Sequence, residues 1–279
     1  MQSPVLPLND GGSIPQLGLG TWQIAPDKAA AAVSFALQRG YRLIDTAAIY
    51  GNEAEVGEGL RRGLQTTGLP REAMFVTTKV WNSEQGFDRT LAAFDASLAR
   101  LRLDYIDAYL IHWPCPRNGL YPASWKALIR LKEEKRVRAI GVSNFQIAHL
   151  ERVIGETGVV PALNQIELHP DFTQPELCAF HARHNILTQS WSPLGQGMLT
   201  THPLIVAIAK KHGRTPAQIL IRWHIEAGFS VIPKTVRNER IEGNFNVFDF
   251  ALDAEDRAKL SGLDAPANRI GPDPDTADF

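Results

Sequence analysis

The sequence predicts an α/β fold in which eight parallel strands, each followed by a helix, close into a (β/α)8 barrel. Three observations favour this fold. Eight short apolar runs alternate with amphipathic stretches of helical period along the chain. The length of 279 residues is typical of one such barrel. No low-complexity linker interrupts the chain, so we expect a single domain that spans residues 1–279.

A β-hairpin is predicted at the N-terminus, ahead of the barrel strands. Apolar residues flank the turn at residues 9–12, and Asp-Gly in such a position is a common hairpin turn. The eight apolar runs that follow are short and bounded by polar or glycine-rich links, which is typical of strands. They lie at residues 18–20, 42–44, 75–78, 106–111, 139–142, 162–165, 186–189 and 230–232.

Helices are predicted between the strands because apolar side chains recur there at intervals of three and four residues. These stretches are residues 28–39, 88–100, 124–134, 146–154, 175–184 and 216–226. Pro175 and Pro216 suit the first turn of a helix, where no N–H donor is needed. Residues 265–279 are rich in turn-forming residues, and we expect a loop over the mouth of the barrel. The composition of these residues is equally consistent with a frayed C-terminus.

Composition narrows the classes of protein. Hydrophobic residues make up 44% and charged residues 21%, which excludes a disordered or collagen-like chain. The formal charge of -1 gives no reason to expect nucleic acid or an anionic membrane as a partner. Two cysteines cannot form a disulfide framework, and neither a signal peptide nor a bilayer-spanning apolar stretch is present. We expect a cytoplasmic monomer that acts on a small molecule.

Common nucleotide and metal motifs are missing from the sequence. No Gly-x-Gly-x-x-Gly follows a predicted strand, and Gly57 and Gly59 lie in a helical stretch where small residues serve packing. There is no Walker loop, no Gly-x-Ser-x-Gly and no His-Glu-x-x-His. His181 and His184 have helical spacing but no third ligand nearby, so we expect surface histidines and no metal.

Polar residues gather at the predicted strand ends, where a parallel barrel forms its active site. Asp45 and Tyr50 follow the second strand, Lys79 ends the third and His112 ends the fourth. Each alone has a structural explanation, but together they bring an acid, a phenol, an amine and an imidazole to one cavity. Three tryptophans nearby offer either apolar walls or ordinary core packing: Trp22, Trp81 and Trp113.

These side chains suit proton transfer to or from a carbonyl or alkoxide oxygen. A tyrosine titrates near ~10, and an ammonium at ~4 Å with an effective dielectric of ~20 contributes up to ~4 kcal/mol in favour of phenolate. We therefore expect Lys79 to lower the pKa of Tyr50 toward working pH. Asp45 would keep Lys79 charged and would cancel part of this effect. A neutral His112 would donate a hydrogen bond to the substrate oxygen.

The motifs around these residues resemble those of the aldo-keto reductase superfamily. Matching segments run in the family's order between about residue 17 and residue 263, and several motifs in order are more specific than one. They are residues 40–53, 78–82, 110–114, 141–145 and 232–241. The resemblance implies a TIM barrel with NADPH (NADP+ when oxidised) across its C-terminal mouth. It also implies hydride transfer to a carbonyl carbon, with Tyr50 as proton donor in a tetrad with Asp45, Lys79 and His112.

The resemblance further implies which residues bind the cofactor. Ser143, Asn144 and Gln165 would hold the carboxamide, and residues 193–197 would cover the pyrophosphate. The basic residues near position 237 would grip the adenosine phosphate, which favours NADPH over NADH. The implied cofactor-binding set is Gly20, Thr21, Ser143, Asn144, Gln165, Trp191, Ser192, Leu194, Gln196, Lys234, Thr235, Val236, Arg237, Arg240 and Asn244. The three tryptophans, Trp22, Trp81 and Trp113, would contact the substrate.

Two positions depart from the usual family pattern. Trp191 stands where many relatives stack a tyrosine on the nicotinamide, and this resembles a bacterial branch that contains 2,5-diketogluconate reductases. Gly243 stands where relatives commonly carry an acid or an amide near the adenine, so we expect weaker NADPH binding or faster exchange.

An NADPH-dependent reductase of α-dicarbonyls, keto sugar acids or other aldehydes and ketones is the function we expect. Arg269 in the tail is a candidate contact for a substrate carboxylate. Two alternatives stay open. Lys79 would suit the Schiff-base nucleophile of a lyase, and the superfamily also resembles the non-catalytic β-subunits of potassium channels.

Overall fold

Eight parallel strands form one sheet in the computed structural model, which describes residues 3–277 and 279. Neighbouring strands follow chain order from first to last. The sheet curls back on itself, because Leu17 bridges to Val231 and Gly20 bridges to Lys234 in parallel. This is the predicted TIM barrel.

The strands agree with the predicted apolar runs to within a few residues. A short antiparallel hairpin comes first, with Leu6 opposite Ile14. The strands are β1 (Val5–Pro7), β2 (Ser13–Pro15), β3 (Leu19–Gly20), β4 (Leu43–Asp45), β5 (Phe75–Val80), β6 (Ile106–Ile111), β7 (Val137–Ser143), β8 (Leu163–Glu167), β9 (Leu187–Trp191) and β10 (Ser230–Val231).

All six helices predicted above are present, the helical stretch that contains Gly57 and Gly59 forms a seventh, and the described residues form three more. The helices are α1 (Pro26–Gln38), α2 (Glu53–Thr67), α3 (Phe87–Leu101), α4 (Tyr121–Glu133), α5 (Ile147–Thr157), α6 (Pro175–Arg183), α7 (Pro203–His212), α8 (Pro216–Glu226), α9 (Asn238–Phe245) and α10 (Ala254–Ser261). A strand-helix repeat needs one helix between two consecutive strands. It therefore does not predict α7, which lies together with α8 between β9 and β10.

Successive residues of a strand face two different cores. In β6, Ala108 and Leu110 belong to a buried cluster inside the barrel, whereas Tyr109 and Ile111 pack between the sheet and the helices. Ile14 of the hairpin joins the inner cluster beside residues from the first positions of several strands. The hairpin therefore covers the N-terminal end of the barrel and leaves the C-terminal end for the site.

The glycines of α2 serve close packing, as predicted. A Cβ at Gly57 would lie 2.2 Å from the carbonyl oxygen of Leu101, and one at Gly59 would lie 2.7 Å from that of Ala30. Neither position has room for a side chain, so α1, α2 and α3 approach each other at these points.

His181 corrects the expectation of surface histidines. Its side chain is buried, with Nδ1 2.9 Å from Thr188 Oγ1 and Nε2 3.0 Å from Asn164 Nδ2. Burial lowers its pKa to about 3, so the ring is neutral. His184 stacks on Phe180, with ring centroids 4.1 Å apart. Among residues 3–277 and 279, no group of three or more possible metal ligands is found.

The described residues of the C-terminal tail, 265–277 and 279, cross the mouth of the barrel as a loop. The main-chain N–H of Ala265 donates to the carbonyl oxygen of Asp171, and Phe279 packs against Trp113 with ring centroids 5.2 Å apart. Within the described part of the chain, no helix has both the length and the apolar character needed to cross a membrane.

Candidate active site

A cleft of about 1120 Å³ opens at the C-terminal ends of the strands and holds most of the predicted site residues. Those that line it are Gly20, Trp22, Asp45, Tyr50, Trp81, His112, Trp113, Ser143, Asn144, Gln165, Trp191, Ser192, Leu194, Gln196, Lys234, Thr235, Arg240 and Asn244. Four predicted residues are not part of its wall: Thr21, Lys79, Val236 and Arg237. Lys79 lies directly behind the wall, fully buried.

Asp45 and Lys79 form a buried ion pair at the ends of two adjacent strands. Lys79 Nζ lies 2.9 and 2.8 Å from the two carboxylate oxygens of Asp45 and 2.9 Å from the carbonyl oxygen of Thr46. The hydroxyl of Tyr50 is a fourth oxygen near the ammonium, 3.5 Å from Nζ. Burial raises the pKa of Asp45 and lowers that of Lys79, while the attraction between the two charges opposes both shifts. Four surrounding oxygens suit the three N–H groups of a charged amine.

Tyr50 keeps its proton at neutral pH, contrary to the expected acidification by Lys79. Its hydroxyl accepts the longest of the hydrogen bonds from Lys79 Nζ, at 3.5 Å. Burial, and secondarily the charge of Asp45, raises the pKa of Tyr50 well above 10. The pKa moves opposite to the expected direction because burial of the phenol outweighs the attraction of the ammonium.

His112 is a neutral imidazole beside Tyr50. The two ring centroids are 5.7 Å apart, and Trp81 packs edge-on against His112 at 5.0 Å. Burial, and secondarily the charge of Lys79, lowers the pKa of His112 well below 6.5. The ring therefore has one N–H and one lone pair at neutral pH, as the sequence predicted.

Aromatic side chains enclose this end of the cleft. Trp81 and Trp113 both contact Phe279, with ring centroids 5.9 and 5.2 Å apart, and Trp22 stands half-exposed at the rim. Phe279 was missed, although an aromatic residue at the end of a tail predicted to cross the mouth was an available signal. Arg269 does not line the cleft, because its guanidinium lies over the ring of Phe172. The guanidinium carbon is 4.9 Å from the ring centroid.

Gln165 is held in one orientation by a chain of buried side chains. Its Nε2 donates to Asp45 Oδ1 and to Gln189 Oε1, both at 2.7 Å. Gln189 in turn donates from Nε2 to Ser230 Oγ at 2.9 Å. Both N–H groups of Gln165 are thus engaged inside the protein, which leaves its carbonyl oxygen for a ligand. Gln189 and Ser230 were not predicted from the sequence.

Asn144 connects Trp191 to His112 across the floor of the cleft. Asn144 Nδ2 donates to the carbonyl oxygen of His112 at 2.9 Å and to Ser143 Oγ at 3.1 Å, while Trp191 Nε1 donates to Asn144 Oδ1 at 2.8 Å. The donors of Asn144 are therefore satisfied. The residue adopts a left-handed backbone with φ of 63°, which asparagine tolerates better than most residues.

The opposite end of the cleft combines a glycine-containing loop with two exposed cations. Gly195 and Gly197 have φ values of 57° and 96°, so the loop depends on left-handed glycine conformations. Lys234 and Arg240 are exposed and line the same cleft. Arg237 is exposed too, but its side chain does not line the wall.

Known proteins share this sequence and this fold. Residues 16–265 match the Aldo/keto reductase family. The chain is 54% identical over 277 residues to an aldo-keto reductase of Mycolicibacterium smegmatis, with 99% of each chain covered. It is 48% identical over 273 residues to methylglyoxal reductase DkgA of Escherichia coli (strain K12), with 97% of each covered.

Solved structures superpose over nearly the whole chain. A mutant of Gox0644 in complex with NADPH gives a TM-score of 0.95 at 48% identity, with 100% of both chains covered. The aldo/keto reductase from Brucella melitensis gives 0.90 at 55% identity, with 95% of this chain and 99% of that one covered. With the sequence match and the cleft described above, these likenesses establish that the chain belongs to the aldo/keto reductase family of oxidoreductases.

Proposed function

We propose that the chain reduces aldehyde and ketone carbonyls to alcohols with NADPH, and that Tyr50 donates the proton. The observation that carries this proposal is a protonated phenol in the cleft wall, 3.5 Å from a buried ammonium and next to a neutral imidazole. That arrangement supplies a proton, a hydrogen-bond donor and a charge to stabilise the phenolate that remains.

The polar groups at the middle of the cleft fit the NH2 group of a carboxamide. Hydrogen bonds within the protein engage the side-chain donors of Gln165, Ser143 and Asn144. Each side chain therefore keeps an acceptor lone pair for a ligand. A carboxamide NH2 has two N–H groups to give to such acceptors. The indole of Trp191 lines the same region and offers a flat face to a nicotinamide ring. When bound, NADPH supplies the hydride that reaches the carbonyl carbon.

The exposed cations fit the other end of NADPH. Lys234 and Arg240 suit a dianionic 2′-phosphate, which NADH lacks. Arg237 stays a candidate for this role, although its side chain does not line the wall.

Tyr50 and His112 would act on the carbonyl oxygen together. The neutral imidazole donates a hydrogen bond that orients the oxygen. As a C–H bond forms at the carbonyl carbon, negative charge gathers on the oxygen, and Tyr50 transfers its proton there to complete the alcohol. The phenolate left behind faces Lys79, and solvent returns its proton. Asp45 keeps Lys79 in place throughout.

Methylglyoxal is the first substrate to test, because several relatives are named methylglyoxal reductase. Keto sugar acids and simple aldehydes form the rest of the panel. The test measures NADPH consumption by the wild-type protein and by Tyr50→Phe. We expect the variant to lose roughly 10²- to 10⁴-fold in kcat and to bind NADPH as the wild type does. Retention of wild-type turnover in Tyr50→Phe would exclude the proposed donor.

The lyase alternative has less support. A Schiff-base nucleophile needs an accessible neutral amine, whereas Lys79 is fully buried and hydrogen-bonded to Asp45 and Thr46. Borohydride trapping of a carbonyl compound on Lys79 would favour the lyase. NADPH binding without carbonyl reduction across the panel would favour a non-catalytic subunit instead.

We also propose that residues 1–279 work as one domain and as a monomer in the cytoplasm. The proposed catalytic residues Asp45, Tyr50 and His112 line one cleft of this chain, with Lys79 buried behind it, which is the arrangement that a self-sufficient subunit needs. Sedimentation of the active protein at assay concentration tests the monomer.

A further inference from the structure

The C-terminal tail is fastened along the loop between β8 and α6. The carboxylate of Asp264 accepts hydrogen bonds from the main-chain N–H and the hydroxyl of Thr173, both at 2.8 Å. Asn268 Nδ2 donates to the carbonyl oxygen of Asp171 at 3.0 Å. The five residues from Asp264 to Asn268 therefore begin and end on the same loop, which directs the following residues toward the end of β8.

Glu167, the last residue of β8, binds Ile270 and Gly271 of the tail. Its Oε1 accepts from the main-chain N–H of Ile270 at 2.6 Å, and its Oε2 accepts from that of Gly271 at 2.8 Å. The side chain is 3% exposed, and His169 Nε2 lies 3.0 Å from Oε1. A carboxylate buried this far is costly unless it is well bonded, so these contacts hold the tail firmly.

Gly271 lies against both Glu167 and the indole of Trp191. A Cβ placed there would be 2.9 Å from Glu167 Oε2 and 2.7 Å from Trp191 Cη2. Glu167 and Trp191 are also paired across β8 and β9. Since Trp191 Nε1 donates to Asn144 at the other edge of the ring, the indole is held at both ends.

We propose that Glu167 is a positioning residue for the nicotinamide subsite: it clamps the tail against Trp191 and thereby fixes the ring face that the cofactor meets. The inference rests on the NADPH-dependent function proposed above. A glutamine at position 167 offers one acceptor oxygen and one NH2, so one of the two main-chain N–H groups would meet a donor. The tail would then loosen, and the indole would lose its support along one edge.

The first test compares Glu167→Gln with Glu151→Gln, a matched change on an exposed residue of α5. In a ¹⁵N-labelled protein, the indole N–H signal of Trp191 is identified by its loss in Trp191→Phe. We expect that signal to shift or broaden in Glu167→Gln only. We also expect the Kd for NADPH to rise roughly three- to tenfold, with kcat at saturating NADPH changed less than about twofold.

Two further variants distinguish a positioning role of Glu167 from a general loss of structure. Gly271→Ala retains the Glu167 carboxylate but would place a Cβ 2.9 Å from its Oε2 and 2.7 Å from the indole, so it disturbs the same contact from the side of the tail. We expect a similar rise in Kd even where Glu167→Gln fails to fold. In a Trp191→Leu background, Glu167→Gln has no indole left to position and should change Kd by less than about twofold.

The outcomes distinguish the inference from the function on which it rests. If the wild-type protein neither binds NADPH nor reduces the panel, the proposed function is wrong. If the wild type binds and turns over but Gly271→Ala leaves Kd unchanged, the positioning role is wrong. Fully additive effects of Glu167→Gln and Trp191→Leu on Kd would equally overturn it.

Discussion

Lys79 Nζ lies 3.5 Å from the hydroxyl of Tyr50 and 2.8 to 2.9 Å from three oxygens of Asp45 and Thr46. The ammonium stabilises the phenolate and so opposes the rise that burial and the charge of Asp45 impose on the pKa of Tyr50. Its contribution comes after proton transfer, when a phenolate appears next to a fixed positive charge. A group whose interaction strengthens only as the reaction proceeds favours the transition state over the ground state.

Replacing Lys79 separates this catalytic contribution from stability. Lys79→Met leaves the carboxylate of Asp45 buried without a countercharge, so we expect a loss of about 3–5 kcal/mol in the free energy of unfolding together with loss of turnover. Asp45→Asn combined with Lys79→Met removes both charges. The double variant should recover most of the stability, measured by urea denaturation, but none of the carbonyl reduction. Recovery of activity along with stability would show that Lys79 is only structural.

The pH dependence of carbonyl reduction follows from the shifted pKa values of His112 and Tyr50. Because the pKa of His112 lies well below 6.5, lowering the pH through 6.5 does not protonate it. Because the pKa of Tyr50 lies well above 10, raising the pH to 10 does not remove the donor proton. We expect kcat at saturating NADPH to stay level between about pH 6.5 and pH 10. An alkaline loss of kcat with a midpoint near pH 8 would instead support a phenol acidified by Lys79.

The hydrogen-bond chain from Gln165 through Gln189 to Ser230 predicts that a substitution at Gln189, behind the cleft wall, weakens cofactor binding. Gln189→Leu removes the acceptor of one Gln165 N–H and the donor to Ser230, which frees the amide of Gln165 to rotate. We expect a weaker Kd for NADPH by about fivefold or more, since a buried unsatisfied donor costs about 1–3 kcal/mol. Gln189→Glu retains an acceptor and should bind NADPH more tightly than Gln189→Leu. Equal Kd values in wild type and Gln189→Leu would show that Gln165 needs no such support.

Strand ends and family motifs were enough to predict Asp45, Tyr50, Lys79 and His112 as one cluster, since a parallel barrel brings its strand ends together. The direction in which Lys79 donates was not predictable, because it depends on where the oxygens of Asp45 and Thr46 lie in space. Gln189 and Glu167 were missed for a related reason. Their partners lie 24 residues away for Gln189 and 103 and 104 residues away for Glu167, and neither pairing carries a local motif. His181 was misjudged because helical spacing does not reveal which face of α6 meets the sheet.

Gly243 offers a test of how tightly this chain binds its cofactor. It lies in α9, lines the cleft, and would have no atom within 4 Å of an added Cβ. Its φ is not in the left-handed region, so the backbone accepts a side chain without strain. We expect Gly243→Asn to lower the Kd for NADPH roughly two- to tenfold, the range that one added hydrogen bond provides.

The matched control for this gain is Gly155→Asn in α5, where an added Cβ also meets nothing within 4 Å. Both changes replace glycine within a helix and should raise helix stability by similar amounts. A tighter Kd in Gly243→Asn alone therefore reports contact with the cofactor. If Gly243→Asn and Gly155→Asn have equal Kd values for NADPH, a side chain at position 243 does not affect binding. The glycine in α9 would then not be a cause of weak cofactor binding.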